Sequence, residues 1–202
     1  IVTTAYLLWS EVHVNFWIQL YTLLNVVVFH AAGNTWSDYF DYKKGVDGKD
    51  TMGSRTIVDG VFDAETIKKF AIVLILIAVV MGFGLILMTG YWQLIYFGIL
   101  AALFTLFYPM LKYNALGDLD IIITYGILPT LGTSMVLTGE IIWSVLWLSV
   151  PLGLITDGIL HSNNTRDTKN DTAANINTYD VLNAGKLVVD LEGAKKLEEV
   201  FA

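Results

Sequence analysis

Two polar clusters in this chain hold residues with the chemistry to bind metal ions and a phosphate. The first runs Asn34-Thr-Trp-Ser-Asp38-Tyr-Phe-Asp41-Tyr-Lys-Lys-Gly-Val-Asp47, and the second runs Asn163-Asn164-Thr-Arg166-Asp167-Thr-Lys-Asn-Asp171. Residues three and four apart share a helix face. Asn34, Asp38 and Asp41 therefore form one stripe if the helix continues past the membrane edge. Asp157, His161, Asn164, Asp167 and Asp171 form a second stripe that descends from within an apolar run to its end. Carboxylates and amides without thiolates suit a hard cation, Mg²⁺ or Ca²⁺. Mg²⁺ is commonly held by one or two protein carboxylates together with substrate phosphates. Two such stripes would each hold one Mg²⁺ with a diphosphate bridging them. Arg55, Lys112 and Arg166 are the candidate cations for the remaining phosphate oxygens, with Arg suited to bidentate contacts and Lys to a point charge.

Each of these residues also has a plainer reading. One acidic cluster after a span is commonly a solvated loop; the pairing of two, with Asn partners and on one membrane side, favours a site. His30 reads as a packed or hydrogen-bonding residue. His161 reads equally as a ligand or as a structural residue, and Asp157 supports the ligands or lines a cavity wall. Asp118 and Asp120 read as caps at a helix N-terminus, where acids suit the dipole. Asp47, Asp50, Lys43 and Lys44 read as a charged loop, and Gly82, Gly84, Gly98 and Gly132 as points of close helix packing.

The elements that must position these residues are membrane spans. The chain has 202 residues, of which 55% are hydrophobic and 15% charged; soluble domains carry about 25% charged residues. From Phe70 to Leu111 there is no Asp, Glu, Lys or Arg. A span needs roughly 20 apolar residues, so this run holds two. Val12–Ser37, Ile121–Gly139 and Ile141–Thr156 are also free of formal charge. The fold class is all-α: a polytopic transmembrane helix bundle with full spans near 14–34, 67–88, 92–111, 119–138 and 141–161. Ile1–Trp9 reads as the stub of an earlier span, and the chain reads as a piece of a longer protein. Stripes of acids within such spans face an interior cavity, because a charged group facing lipid is costly.

Lys and Arg near span ends collect on the cytoplasmic side. Lys43, Lys44, Lys49, Arg55, Lys68, Lys69, Lys112, Arg166 and Lys169 all fall on one side, and loops 10–13, 89–91 and 139–140 have no Lys or Arg. Both acidic clusters lie on the cytoplasmic face by this rule. The absence of cysteine excludes disulfides and thiolate metal sites. The formal net charge of -7 does not exclude an anionic ligand, since divalent metal would neutralise several acids. After Asp171 the character changes, and residues 172–202 read as a short soluble α/β tail with a strand over Lys186–Asp190 and a helix over Leu191–Phe201.

Four stretches carry a resemblance to the UbiA superfamily of intramembrane aromatic prenyltransferases. They are Asp38-Tyr-Phe-Asp41-Tyr-Lys-Lys-Gly45-Val-Asp47, Arg55-Thr-Ile-Val-Asp-Gly60, Tyr108-Pro-Met-Leu-Lys112-Tyr, and Asn163-Asn164-Thr-Arg166-Asp167-Thr-Lys-Asn-Asp171. The branch they resemble most is that of the 1,4-dihydroxy-2-naphthoate polyprenyltransferases of menaquinone synthesis. The resemblance implies a nine-span fold of which residues 1–171 supply five full spans. It implies Mg²⁺ as cofactor, with Asp38 and Asp41 binding one ion, Asp167 and Asp171 the other, and Asn34 and Asn164 in support. Tyr108 and Lys112 match the family's Tyr-x-x-x-Lys element beside the diphosphate, and Arg55 and Arg166 would neutralise it further. Ser37 departs from the family's Asn before the first Asp, and Asn34, one turn earlier, is the substitute. The implied partners are a polyprenyl diphosphate, an aromatic acceptor and the lipid bilayer, with no nucleic acid for residues 1–171. The implied location is the cytoplasmic membrane. The alternatives are an inactive truncated or chimeric fragment and an ion-binding transport protein, whose acids would sit nearer the bilayer midplane. Residues 175–202 are similar to the C-terminus of ribosomal protein uL-four of the large subunit, so a chimeric chain is expected, with a tail that stays apart from the bundle.

Overall fold

A computed structural model describes residues 1–48 and 55–183. The described residues are almost entirely helical, and they confirm the all-α membrane bundle. In chain order the helices are α1 (Val2–Trp9), α2 (Phe16–Lys44), α3 (Arg55–Val58), α4 (Ala64–Thr89), α5 (Leu94–Lys112), α6 (Gly117–Ile121), α7 (Leu128–Thr138) and α8 (Leu146–Ala173). A π-helical segment, Ile122–Ile127, joins α6 to α7, and a 3₁₀ turn, Trp143–Val145, leads into α8. Five helical runs are long and apolar enough to cross a membrane: Phe16–Lys44, Ala64–Thr89, Leu94–Lys112, Gly117–Thr138 and Trp143–Ala173. The stub expected at Ile1–Trp9 is α1, which packs on α7. The strand and helix expected over 186–201, and Lys49 and Asp50, lie outside the described residues.

α2 and α8 run well beyond the ends expected from hydropathy, at 34 and 161. Both continue as helix through their polar clusters, so the two stripes do exist on helical faces. α2 starts at Asn15, whose Oδ1 accepts hydrogen bonds from the Trp17 and Ile18 amides at 3.0 and 3.2 Å, the usual N-cap arrangement. It packs along α4, and α4 packs on α5. Tyr39, Ile57 and Ile67 bury together with Phe40 and Ala64 beside the first cluster. At the opposite end Leu85, Leu94, Met135 and Val136 form a second buried core.

The π segment has a local cause. Pro129 has no N–H to give the Tyr125 carbonyl, so the helical ladder must change register before it. The Leu128 amide instead donates to the Ile123 carbonyl, five residues back. This segment is the main packing surface for α8. The contact is made by glycines: a methyl group at Gly126 would stand 2.7 Å from the Ser149 carbonyl oxygen, and one at Gly153 would stand 3.1 Å from that of Ile122. Of the glycines expected at close contacts, Gly84 meets Tyr21 and Gly132 meets Phe97, but Gly98 has nothing within 4 Å. The closest crossing thus falls at Gly126 and Gly153, where the sequence showed no apolar pattern to mark it.

The chain does not leave the bundle at Asp171. Residues 174–183 fold back against the helix ends, with Ile176 and Thr178 each only 1% exposed. The Asn177 amide donates to the Tyr113 carbonyl at 3.2 Å, and Asn177 pairs with Asn114 in an isolated parallel bridge. The buried Ile176 side chain and the backbone bonds hold these residues on the helix ends; the rest of the expected soluble tail, 184–202, lies outside the described residues.

Candidate functional site

Both acidic clusters lie at one end of the bundle, around the end of α5. Asp41 is 8% exposed. Its Oδ2 accepts from Lys112 Nζ at 3.0 Å and its Oδ1 from the Tyr113 hydroxyl at 2.8 Å. Ser37 Oγ approaches Asp41 Oδ2 at 3.4 Å. On α8, Asp171 is 1% exposed and feels the charges of Lys112, Asp167 and Asp41. Lys112 therefore stands between the α2 and α8 carboxylates. α2 and α8 are joined through α5 and α6, and the last residue of α5 is the cation.

The remaining expected residues take up distinct positions. Asp38 is half-buried on α2 and acts electrostatically on Asp47. Asn34 sits against His30, with Nδ2 3.0 Å from Nε2, so its amide is directed to the histidine. Ser37 is the α2 side chain whose hydroxyl reaches Asp41. Asn164 is buried on α8. Arg166 grips Asp167 with two bonds, Nε to Oδ1 at 2.8 Å and Nη2 to Oδ2 at 2.6 Å. Arg55 binds Asp59 on α3, with Nε to Oδ2 at 3.0 Å. Tyr108 lies on α5 within electrostatic reach of Asp41, Tyr125 and Asp120.

Two residues that sequence reasoning set aside belong to this site. Tyr113, which follows Lys112 in the third family-like stretch and has no expected role in the site, is the tyrosine that donates to Asp41. Burial, the Asp41 charge and that hydrogen bond raise its phenol above its ordinary range. Asp47, taken as loop, is half-buried beyond the end of α2. Burial first, then the charges of Asp41 and Asp38, push its carboxyl up to about 6, with Lys112 opposing and Asp167 adding to the rise. Asp47 thus senses both clusters. Its position in the same polar run as Asp38 and Asp41 was the available signal. Asp118 and Asp120 stand in the first turn of α6 as expected, but neither side chain caps it. His161 and Asp180 form a polar pair at 3.5 Å, and Thr165 Oγ1 donates to Asp180 at 2.8 Å, which ties residues 179–183 to α8.

The donor set fits a hard divalent ion. The acids offer only oxygen donors, and Asp171 Oδ1 is buried without a hydrogen-bond partner. Among the described residues no three His, Cys, Asp or Glu side chains converge into a ready metal cage. Mg²⁺ needs no such cage, since it completes its octahedron with waters and substrate phosphates.

A membrane-spanning helix bundle with two carboxylate-bearing helices flanking a half-buried lysine at one end defines an integral membrane protein with a polar site at the edge of its spans. The sequence matches the UbiA prenyltransferase family over residues 1–190, and the chain belongs to that family. It is 38% identical over 167 residues to a UbiA prenyltransferase domain-containing protein 1 homolog of Drosophila melanogaster, covering 80% of this chain and 46% of that protein. It is 36% identical over 162 residues to UbiA prenyltransferase domain-containing protein 1 of Homo sapiens, covering 78% of this chain and 48% of the relative. With the Danio rerio protein of that name it shares 39% identity over 162 residues, 78% of this chain and 48% of the relative. The chain spans about half the length of the curated relatives it matches. The family match runs past Asp171, as does the packing of Ile176 and Thr178.

Proposed function

We propose that this chain forms the diphosphate-binding part of an Mg²⁺-dependent polyprenyltransferase. The enzyme would move a polyprenyl group from its diphosphate to an aromatic acceptor, 1,4-dihydroxy-2-naphthoate, in menaquinone biosynthesis. The observation that carries the reading is the approach of the α2 and α8 acids to one half-buried lysine, Lys112, at one end of the spans. The naphthoate acceptor rests on the resemblance of the four sequence stretches. By the distribution of Lys and Arg, the site opens on the cytoplasmic face of the cytoplasmic membrane.

Asp38, Asp41 and Asp47 on one side, and Asp167 and Asp171 on the other, are the groups that would hold Mg²⁺. When bound, the ions supply electrostatic stabilisation of the departing diphosphate oxygens. Lys112 is within reach of either cluster and would hold a non-bridging phosphate oxygen as a point charge. Tyr113 and Ser37 orient Asp41, so that its carboxylate keeps one position whether or not Lys112 is engaged. Arg166 sets the Asp167 carboxylate in the same way. The apolar helix faces below the site would exclude water from a prenyl cation, which water would otherwise consume.

Residues 1–171 would form a partial prenyltransferase domain, and the packed residues 174–183 lie against its helix ends. A chimeric tail from ribosomal protein uL-four is supported by sequence resemblance alone, and genomic sequence read across codons 171–202 decides it. For the activity, the full-length protein in membranes is supplied with polyprenyl diphosphate, 1,4-dihydroxy-2-naphthoate and Mg²⁺. Prenylated product is expected, with loss on chelation and in Asp41→Ala and Asp171→Ala. Product that survives both substitutions would refute the site assignment.

A further inference from the structure

One carboxylate in the membrane part of the bundle has no role in the site above. Asp120, on α6 in the apolar run Gly117–Thr138, is 3% exposed. Its Oδ1 is buried with no hydrogen-bond partner. Oδ2 has only a long contact to Thr124 Oγ1 at 3.4 Å, and that hydroxyl already donates to the Asp120 carbonyl at 2.7 Å. It caps nothing, since α6 has no side-chain cap. A buried carboxyl without partners is costly in protein and more so in a membrane span. An apolar residue of similar volume would relieve that cost, so stability gives no reason for Asp here.

Its neighbours are aromatic. Tyr108 and Tyr125 both lie within its electrostatic reach. The Tyr125 ring stands edge-on to His30, with centroids 5.1 Å apart, and His30 holds Asn34 on the α2 stripe. Tyr108 feels Asp41 as well as Asp120. The orphan carboxyl is thus linked to the acidic site through two tyrosines and a histidine. Flat rings with polar edges suit a planar aromatic molecule. The missing partner of Asp120 Oδ1 must be a hydrogen-bond donor.

We propose that Asp120 is a specificity-determining residue that accepts a hydrogen bond from a ring hydroxyl of a hydroxylated aromatic ligand seated against Tyr108 and Tyr125. This deepens the prenyltransferase reading by naming the group that selects the acceptor. It rests on that reading only for calling the ligand an acceptor. A carboxylated ring would keep its carboxylate away from Asp120 and turn its hydroxyl inward.

The test uses the full-length protein in detergent or liposomes, with 1,4-dihydroxynaphthalene and 1,4-dimethoxynaphthalene as probes. The two differ in hydrogen-bond donation and little in shape. The wild type is expected to bind the diol roughly tenfold more tightly than the diether, the size of one well-made hydrogen bond. Asp120→Leu should abolish that preference while the thermal midpoint holds or rises. Asp120→Asn, which keeps an accepting oxygen, should retain part of it, and it stands in if the leucine variant does not fold. Undiminished diol preference in Asp120→Leu, or in Asp120→Asn no change alongside no preference in the wild type, overturns the proposal. Prenyl transfer is measured on the same preparations. Asp120-dependent diol preference without any transfer would defeat the enzymatic reading and leave this one standing. Normal transfer in Asp120→Leu with an unchanged KM for dihydroxynaphthoate would do the reverse.

Discussion

Lys112 and Asp41 are both largely withdrawn from water, with side chains 13% and 12% exposed. Removing one partner of such a pair leaves an uncompensated charge, which costs about 3 kcal/mol or more. Lys112→Ala is therefore expected to destabilise the protein by about that amount, because Asp41 would face Asp47 and Asp171 with no cation between them. In a double-mutant cycle with Asp41→Ala, measured by denaturant titration in detergent, the double variant should lose less than the sum of the two. Strict additivity would show that the 3.0 Å contact carries no coupling. Asp47 gives a pH dependence whose sign follows from its raised carboxyl, about 6 against an ordinary 3.8. Below the ordinary value Asp47 is protonated folded or unfolded and has no effect. Between about 3.8 and about 6 the unfolded chain gives up this proton while the folded protein keeps it, so stability falls across that window; above about 6 Asp47 stands ionised against Asp41 and Asp38 and the penalty is at its full size. A divalent cation reverses that penalty, so the rise in thermal midpoint on adding Mg²⁺ should be larger at about pH 7.5 than at about pH 5. Asp47→Asn should remove most of the difference; an Mg²⁺ effect independent of pH in the wild type would contradict it. The acids and Lys112 were legible because each lies at helical spacing within one segment, or within a short motif. Tyr113 was not, because its partner is on another helix, and spacing rules see one helix at a time.

The long helices explain why the site exists at all, and their true ends were the part hidden from hydropathy. A hydropathy window stops where polarity begins, near 34 in α2 and 161 in α8. Helix propagation does not stop there, because each added residue gains a backbone bond and the polar stripe is no obstacle outside the bilayer. α2 consequently carries Asp38 and Asp41 on rigid helix as far as Lys44, and α8 carries Asp167 and Asp171 as far as Ala173. The position of α8 is then set by the glycine crossing at the π segment. Pro129 was visible in the sequence, but a register change five residues long leaves no apolar pattern, and Gly126 and Gly153 lie in different spans. Gly153→Leu places a branched side chain where even a methyl group would stand 3.1 Å from the Ile122 carbonyl. Overpacking of this kind costs about 1–3 kcal/mol. It should also shift α8 relative to α5, separating Asp171 from Lys112. The expected result is a lowered thermal midpoint together with prenyl transfer reduced by at least about tenfold. Gly98→Leu, at a position with nothing within 4 Å, serves as the control and should be neutral on both counts. Equal behaviour of the two variants would mean that the crossing does not position the site.

At the scale of the whole molecule, charge and topology make one consistent statement. Lys43, Lys44, Lys68, Lys69, Lys112, Arg166 and Lys169 lie toward one end of their spans, and the turns around Gly90 and Gly139 lie at the other. The ion pair of Lys112 with Asp41 joins the ends of α2 and α5, and the bridge between Asn114 and Asn177 joins those of α5 and α8. These three helix ends must share a membrane side, however the bundle is oriented. Because Lys and Arg collect on the cytoplasmic side of spans, we propose that this shared end faces the cytoplasm. Cysteine scanning is well suited to this chain, because it contains no cysteine of its own. Single cysteines at Lys43 and Lys169 should react with an impermeant maleimide only after the cytoplasmic face is opened, whereas cysteines at Gln93 and Glu140 should react in intact cells. The opposite pattern would place the site on the far face. Labelling of Lys43 and Lys169 from different sides would be more damaging still, because Asp41 and Asp171 could not then act on one ligand.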